Sequence, residues 1–409
     1  MSAESRLDAA IAKVVGAGNC SGCGACALLD PGIGMELDDG GYLRPVRRAP
    51  LGNTAGAENP AEAFAAACPG VRVNAQRPAA SHRHPQLGPV VQAWEAWATD
   101  PALRHAGSSG GTLTALSAWL LASGQSSRVV GAQADPKNAR RTVSVQLTTK
   151  EQALAAAGSR YAPVSNAAAP QALEPDTAFV GKPCEVSAIR ALSARKQGRQ
   201  NGPILLSFFC AGTPSQQATE RLAVELGVAR DAAISDLSYR GNGWPGDFSI
   251  TCADGSTKGT SYDDSWGNHL GPTTQWRCKI CPDGVGESAD ITAADFWRAD
   301  DAGYPLFLDQ AGISALIART ERGRDLVLAA AAAGVLTLAV MDLEALVAVQ
   351  PLQRKRRETL AGRLAGTVAA GGIIPRYSGF SLLRLALPRL RESWRTGKGS
   401  YRRRRGMRG

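Results

Sequence analysis

Three cysteines near the start of the chain, Cys20, Cys23 and Cys26 in CSGCGAC, stand at the spacing that wraps a backbone around an iron–sulfur cluster. The bacterial ferredoxin run is C-x2-C-x2-C-x3-C-P, and here its fourth cysteine position holds Asp30, followed by Pro31. That fourth cysteine normally serves a second cluster, so the local two-cluster pairing is broken. A Cys-Pro pair recurs at Cys68-Pro69, which makes Cys68 the candidate that closes the first set from a distance. Asp30 is the other candidate, although a carboxylate is an unusual cluster ligand. Gly22 and Gly24 let backbone N–H groups turn toward the sulfurs. A structural zinc or ordinary buried thiols are the competing explanations.

Nine cysteines against four histidines favour thiolate ligation over imidazole sites. An odd count in a C-x2-C-rich chain argues against a secreted disulfide framework and for a reducing compartment. The opening MSAESRLDAAIAK carries charges where an export signal would be apolar, so a cytoplasmic location is expected. The longest uncharged stretch, Leu326 to Met341, contains Gly334 and reads as an alanine-rich helix, a glycine stop and a strand, not a membrane span.

The 409 residues suffice for two or three cores. Residues 1–85 read as a small ferredoxin-like iron–sulfur module of short elements. The polar connector QRPAASHRHPQLGP follows. Residues 86–170 alternate strand (VVQAWEAWA), helix (TLTALSAWLLASG) and strands (VVGAQA, TVSVQLTT). Residues 171–349 return to strands (AFVG, ILLSFFC) interleaved with helices, and include a hairpin around Asp254-Gly255. Residues 350–409 form a basic tail. The expected fold class is α+β, a mixed-sheet body fronted by the cysteine module.

A second cysteine pair, Cys278 and Cys281, suits zinc, a redox dithiol or half of a cluster site. Cys184 and Cys210 each follow an apolar strand, where cofactor ligands gather at a sheet's edge. Spacing alone does not join these four, and Cys252 reads as structural. In HAGSSGGTLTAL, Gly107, Ser108, Ser109, Gly110 and Gly111 run into a helix at Thr112. Such a helix start suits a phosphate or an electron-rich flavin edge, or is a plain cap made by Ser109.

Taken together, CSGCGAC, GSSGGTLTAL, GSRYAPVS (158–165), FVGKPCEVSAIRAL, LLSFFCAGTPS, SYRGNGWPG and CKIC followed by ADITAADFW form an ordered set. The set resembles the coenzyme F-420 (deazaflavin) hydrogenase/dehydrogenase beta subunit family, which includes 7-hydroxymethyl chlorophyll a reductase and ferredoxin-dependent divinyl chlorophyllide 8-vinyl reductase. The resemblance spans roughly residues 18 to 300. It implies an iron–sulfur flavoprotein oxidoreductase with FAD and one or two [4Fe–4S] clusters, exchanging electrons with ferredoxin or a similar one-electron carrier and with a conjugated or a sugar- or lipid-linked substrate at the flavin. An electron-relay subunit without its own substrate is the alternative. The resemblance joins Cys184, Cys210, Cys278 and Cys281 into a second cluster set. It also places the Gly107–Thr112 turn, Ser159, Arg160, Tyr161 and Lys182 near the flavin. Lys182, Glu185 and Arg298 depart from the family pattern; Lys182 either charges the flavin site or points to solvent.

From Gln350 onward sixteen Lys/Arg face only Glu358 and Glu392, a net of +14 within a chain of net +10. Phe380, Leu383, Leu387, Leu390 and Trp394 fall close to one helical face, interrupted by Pro388. This tail suits an anionic membrane surface or a protein partner; a solvated arm that packs one face on the body is the bland alternative. Nucleic acid is not expected, since no stacking platform accompanies the arginines. No general acid or base is legible, and His269 is more readily a surface residue.

Overall fold

The computed structural model describes residues 3–50, 59–196, 202–296 and 311–406. Its centre is an eight-stranded mixed sheet. In spatial order the strands are Leu336–Val340, Gln92–Ala98, Ser314–Ala318, Ile291–Asp295, Ile204–Phe208, Thr177–Gly181, Arg128–Asp135 and Asn138–Leu147. The four strands from Ile291–Asp295 to Arg128–Asp135 run parallel, and the flanking pairs are antiparallel. Parallel strands buried on both faces read as continuous apolar runs, as in ILLSF and TAFVG. The sheet draws strands from both sides of residue 170, so the two stretches expected on either side share one core. Leu116, Val129, Leu206, Ile291 and Leu316 pack in it, all buried.

The N-terminal module is a helix (Ala3–Gly16), a hairpin (Ile33–Leu37 with Leu43–Arg47) and a helix (Pro60–Ala67), joined by a core of Leu7, Ile11, Val14, Cys26, Ile33 and Phe64. The Asp254-Gly255 hairpin forms as expected, between Phe248–Cys252 and Thr257–Thr260. Gly334, at φ +72°, ends the alanine-rich helix Glu321–Ala332 ahead of its strand.

The basic segment packs one face on the body and leaves the other exposed. It folds into helices Pro351–Glu358, Leu360–Ala369, Leu382–Ala386 and Leu390–Gly406, with Pro388 in the break between the last two. Its short strand Arg376–Ser378 adds to Arg72–Asn74 of the N-terminal module. Three of its arginines are buried anchors. Arg356 donates to the Cys210 carbonyl at 2.9 Å, Arg357 pairs with Glu287, and Arg404 donates to the Ala17 carbonyl at 2.6 Å while lying over Trp276. Helices Leu360–Ala369 and Leu390–Gly406 meet through small residues: a Cβ on Gly366 would stand 2.0 Å from the Gly397 carbonyl oxygen. A Gly366→Leu substitution is therefore expected to cost about 1–3 kcal/mol and to make the segment after 350 preferentially cleavable in limited proteolysis.

Asp290 ties the sheet to two helices. It is buried, accepts the Leu205 N–H at 2.9 Å and Thr320 Oγ1 at 2.9 Å, and pairs with Arg190 at 2.9 Å and Arg322 at 2.5 Å. Burial alone would raise its pKa, but the two guanidinium groups and the backbone donor win and lower it to about 2. Because the folded-state value is depressed, the stabilisation is complete above the ordinary carboxylate range and is lost as pH falls through about 2. Asp290→Asn is expected to destabilise by about 3 kcal/mol at neutral pH and to flatten the loss of stability between about pH 4 and 2, read by denaturant titration across pH.

Candidate functional site

Cys20, Cys23, Cys26 and Cys68 line one apolar-walled cavity with Val14, Met35 and Phe64. Gly22 and Gly24 adopt positive φ there, so the chain folds back and the Gly22 N–H points at Cys20 Sγ, 3.4 Å away. Asp30 is not part of this cavity. Its carboxylate accepts the Gly32 N–H at 2.8 Å and pairs with Arg47, and it is Cys68 that lines the cavity with the other three thiols. Burial pushes the Cys23 thiol up to about 11, with Cys20 adding to the rise, and Cys26 rises well above its ordinary value through burial and the other three sulfurs. Four thiols that resist ionising side by side are a donor set that a positively charged metal group would stabilise.

Cys184 and Cys210 stand just beyond the carboxyl ends of the neighbouring parallel strands Thr177–Gly181 and Ile204–Phe208. A short helix, Trp276–Lys279, brings Cys278 and Cys281 beside them. Cys210 is pushed up to about 12 by burial and by Cys278 and Cys281, so these thiols share one neighbourhood. The Thr213 N–H donates to Cys278 Sγ at 3.4 Å, a backbone-to-sulfur bond of the kind that tunes cluster ligands. Burial, Glu185 and Cys23 all raise Cys184, which places Cys184 between the two sets. Among the described residues, no group of three or more His, Cys, Asp or Glu side chains is arranged to hold a metal ion. Around the first cavity the four thiols line a common space. Cys252 lies apart, at the end of its strand.

Cations surround the second set. Arg356 and Lys182 lower the pKa of Cys210 against its burial, and Arg277, fully buried, is held charged by Tyr377, Cys281, Cys184 and Cys278 against its own desolvation. Lys182 does not point to solvent. It is buried, and donates to Glu185 at 2.7 Å and to the Val164 carbonyl at 2.8 Å. Burial has a large opposing effect, but Glu185, Cys184 and Cys210 together offset it and raise the pKa.

The glycine turn Gly107–Gly111 leads into helix Thr112–Ala122, whose cap is Gly111 at φ +70° with no side-chain cap. Ser109 is not that cap: its hydroxyl donates to the Ile313 carbonyl at 2.9 Å. Gly110 is required by closeness, since a Cβ there would stand 2.5 Å from the Ala96 carbonyl oxygen. Ser108 and Ser159 share a hydrogen bond of 2.6 Å, which brings the two expected flavin segments together. Arg160 is committed to structure, donating to Ala139 and Arg141 carbonyls at 3.1 and 3.0 Å and lying over Tyr239. Tyr161 packs against Tyr239, Tyr262 and Trp266 with centroids 6.0, 6.3 and 5.2 Å away.

Sequence reasoning missed Arg240, which lies over Trp244 and Tyr262 and pairs with Asp295 at 2.5 Å beyond the end of a parallel strand. Its signal was present only as the glycine-rich SYRGNGWPG around it. The loop's Gly243 N–H bonds the His105 carbonyl at 3.0 Å, beside the glycine turn. His269 sits elsewhere, between Glu225 and Asp264. Arg298 lies outside the described residues.

One stretch links these places. In residues 158–165, Ser159 bonds Ser108, the Val164 carbonyl accepts from Lys182, and Ser165 donates to the Gly22 carbonyl at 2.8 Å. Five residue steps separate Ser159 from Val164, so their Cα atoms are at most about 18 Å apart.

Two family models match the chain, both of the coenzyme F420 hydrogenase/dehydrogenase beta subunit. The model of its N-terminal part covers residues 93–170, and the model of its C terminus covers residues 176–344. The chain is 28% identical over 235 residues to F420-dependent formate dehydrogenase 1 subunit beta of Methanococcus maripaludis, and it spans 56% of that relative's length, as of its own. In fold it is similar to a chain of the F420-reducing [NiFe] hydrogenase complex from Methanosarcina barkeri, with TM-score 0.52 and 19% identity over 70% of this chain and 96% of that one. With the second cysteine set and the glycine turn lying inside the matched stretches, the chain belongs to the coenzyme F420 hydrogenase/dehydrogenase beta subunit family.

Proposed function

We propose that the chain is an oxidoreductase subunit that holds FAD and two [4Fe–4S] clusters. It couples one-electron exchange with a ferredoxin-like carrier to two-electron oxidation or reduction of a substrate. Cys20, Cys23, Cys26 and Cys68 would hold one cluster, and Cys184, Cys210, Cys278 and Cys281 the other. The uncapped start of helix Thr112–Ala122, with Ser108 and Ser159 beside it, would hold the flavin's phosphates. Tyr161 would supply apolar surface, and Arg240 a fixed positive charge. A flavin converts between one- and two-electron steps, while the protein tunes potential and access. Lys182, Arg277 and Arg356 offset the negative charge that four thiolates bring, which favours the reduced form of the second site. The relatives' names make a deazaflavin, coenzyme F420, the first substrate to test.

The observation that supports this reading most is the continuity of residues 158–165, which contact the glycine turn, Lys182 and the first cysteine loop in turn. A flavin that hands single electrons to clusters needs such adjacency.

Protein purified without oxygen is expected to carry about eight irons and about one FAD per chain, measured with sulfide and zinc beside a visible spectrum. About four irons would limit the reading to one cluster, and zinc without flavin would overturn it. Cys68→Ala and Cys184→Ala are each expected to remove about four irons, whereas Asp30→Asn leaves the iron content unchanged. Oxidation of reduced F420 by the isolated chain with a viologen dye separates an enzyme from a pure relay: the relay shows cofactors and no turnover.

A further inference from the structure

Helix Leu390–Gly406 is packed with its apolar side outward. Its inward face is Ser393, Gly397, Ser400 and Arg404, all buried, and it meets Gly362 and Gly366 of the neighbouring helix at backbone contact. The outward stripe continues from the preceding helix as Leu383, Leu387, Leu390 and Trp394, exposed by 78, 63, 63 and 74%. A helix whose only medium is water turns its large apolar residues to the core and its small polar ones out. This one does the reverse.

Exposed cations interleave and extend the stripe: Arg384, Arg391 and Arg395 beside it, then Lys398, Arg402, Arg403 and Arg405. The two acidic residues of the segment do not cancel them, because Glu358 and Glu392 both pair with Arg389. Along the chain the charge is uneven, +14 from Gln350 onward against about −4 for the rest, and apart from the buried Arg356, Arg357 and Arg404 most of these cations are exposed or half-exposed. An anionic surface would attract this end and repel the remainder, which fixes the orientation of approach.

We infer that the Leu383–Trp394 face docks the protein in the plane of an anionic lipid bilayer. Leucines and a tryptophan enter the headgroup boundary, and the flanking arginines meet the lipid phosphates. No helix among the described residues is long and apolar enough to cross a membrane, so the contact is interfacial. A polynucleotide fits less well, because four large apolar side chains separate the cations where bases would need a stacking platform. The inference is independent of the redox reading, since it uses none of the cysteine or glycine-turn residues.

The test uses the full chain, purified without oxygen, with sucrose-loaded vesicles of phosphatidylcholine alone or with one third phosphatidylglycerol. Sedimentation with the anionic vesicles is expected to exceed that with neutral ones by about tenfold or more at low salt, and to weaken at high salt. Leu387→Ser/Leu390→Ser/Trp394→Ser and, separately, Arg391→Glu/Arg395→Glu are each expected to lower anionic-vesicle partitioning by about tenfold or more. These side chains are exposed, so far-UV circular dichroism, iron and flavin content should match the wild type. Absence of wild-type binding to the anionic vesicles would overturn the inference. So would a triple serine variant that binds like the wild type, because charge alone would then suffice. A wild-type dimer that the serine variant converts to monomer, with no vesicle binding, would assign the face to a second copy of the chain.

Discussion

The interior of this protein is organised around eight thiols gathered in two adjoining places, four lining the N-terminal cavity and four beside the ends of the parallel strands. Desolvation is the main reason that Cys23 and Cys210 are pushed above their ordinary values, and neighbouring sulfurs add to the rise. The surroundings answer with fixed positive charge and backbone donors: Lys182, Arg277, Arg356 and the N–H groups of Gly22 and Thr213. Most of these groups come from different parts of the chain. The first set is built within the N-terminal module, whereas the second needs the parallel strands, the Trp276–Lys279 helix and the C-terminal Arg356 in place.

That requirement explains the C-terminal segment. Arg356 closes over the Cys210 loop, Arg357 pairs with Glu287, and Arg404 anchors the last helix to Ala17 and Trp276, between the two cysteine regions. The glycine contacts at Gly362, Gly366 and Gly397 bring the two long helices close enough for those arginines to reach inward. In consequence the large side chains of the last helix have nowhere to go but outward, and the segment serves as both a clasp on the cysteine sites and a candidate contact surface.

Much of the sheet was legible in the sequence because its parallel strands are continuous apolar runs between glycine or charged stops. TAFVG and ILLSF formed where expected, as did the Asp254-Gly255 turn. The cap of helix Thr112–Ala122 was misread: serine is the commoner cap, but the close approach of Gly110 to strand Gln92–Ala98 turns Ser109 toward Ile313 instead. Lys182 was ambiguous for a similar reason. Only its neighbour Glu185, one helical turn on, makes a buried ammonium tolerable, and a sequence does not show burial.

The sequence by itself determined the first cysteine loop, because spacing by two residues forces three thiols to one side of a tight turn whatever surrounds it. It also determined the strand pattern and the uneven charge. The tertiary structure alone put Cys68 in the cavity with the first three thiols and gave Asp30 to Gly32 and Arg47. It alone brought Cys184 and Cys210 to Cys278 and Cys281, and aimed the last helix's leucines at the outside. Local spacing fixes which atoms can be neighbours within a turn; which neighbours are met across 70 or 300 residues depends on strand order and on which helix face finds a partner small enough to approach.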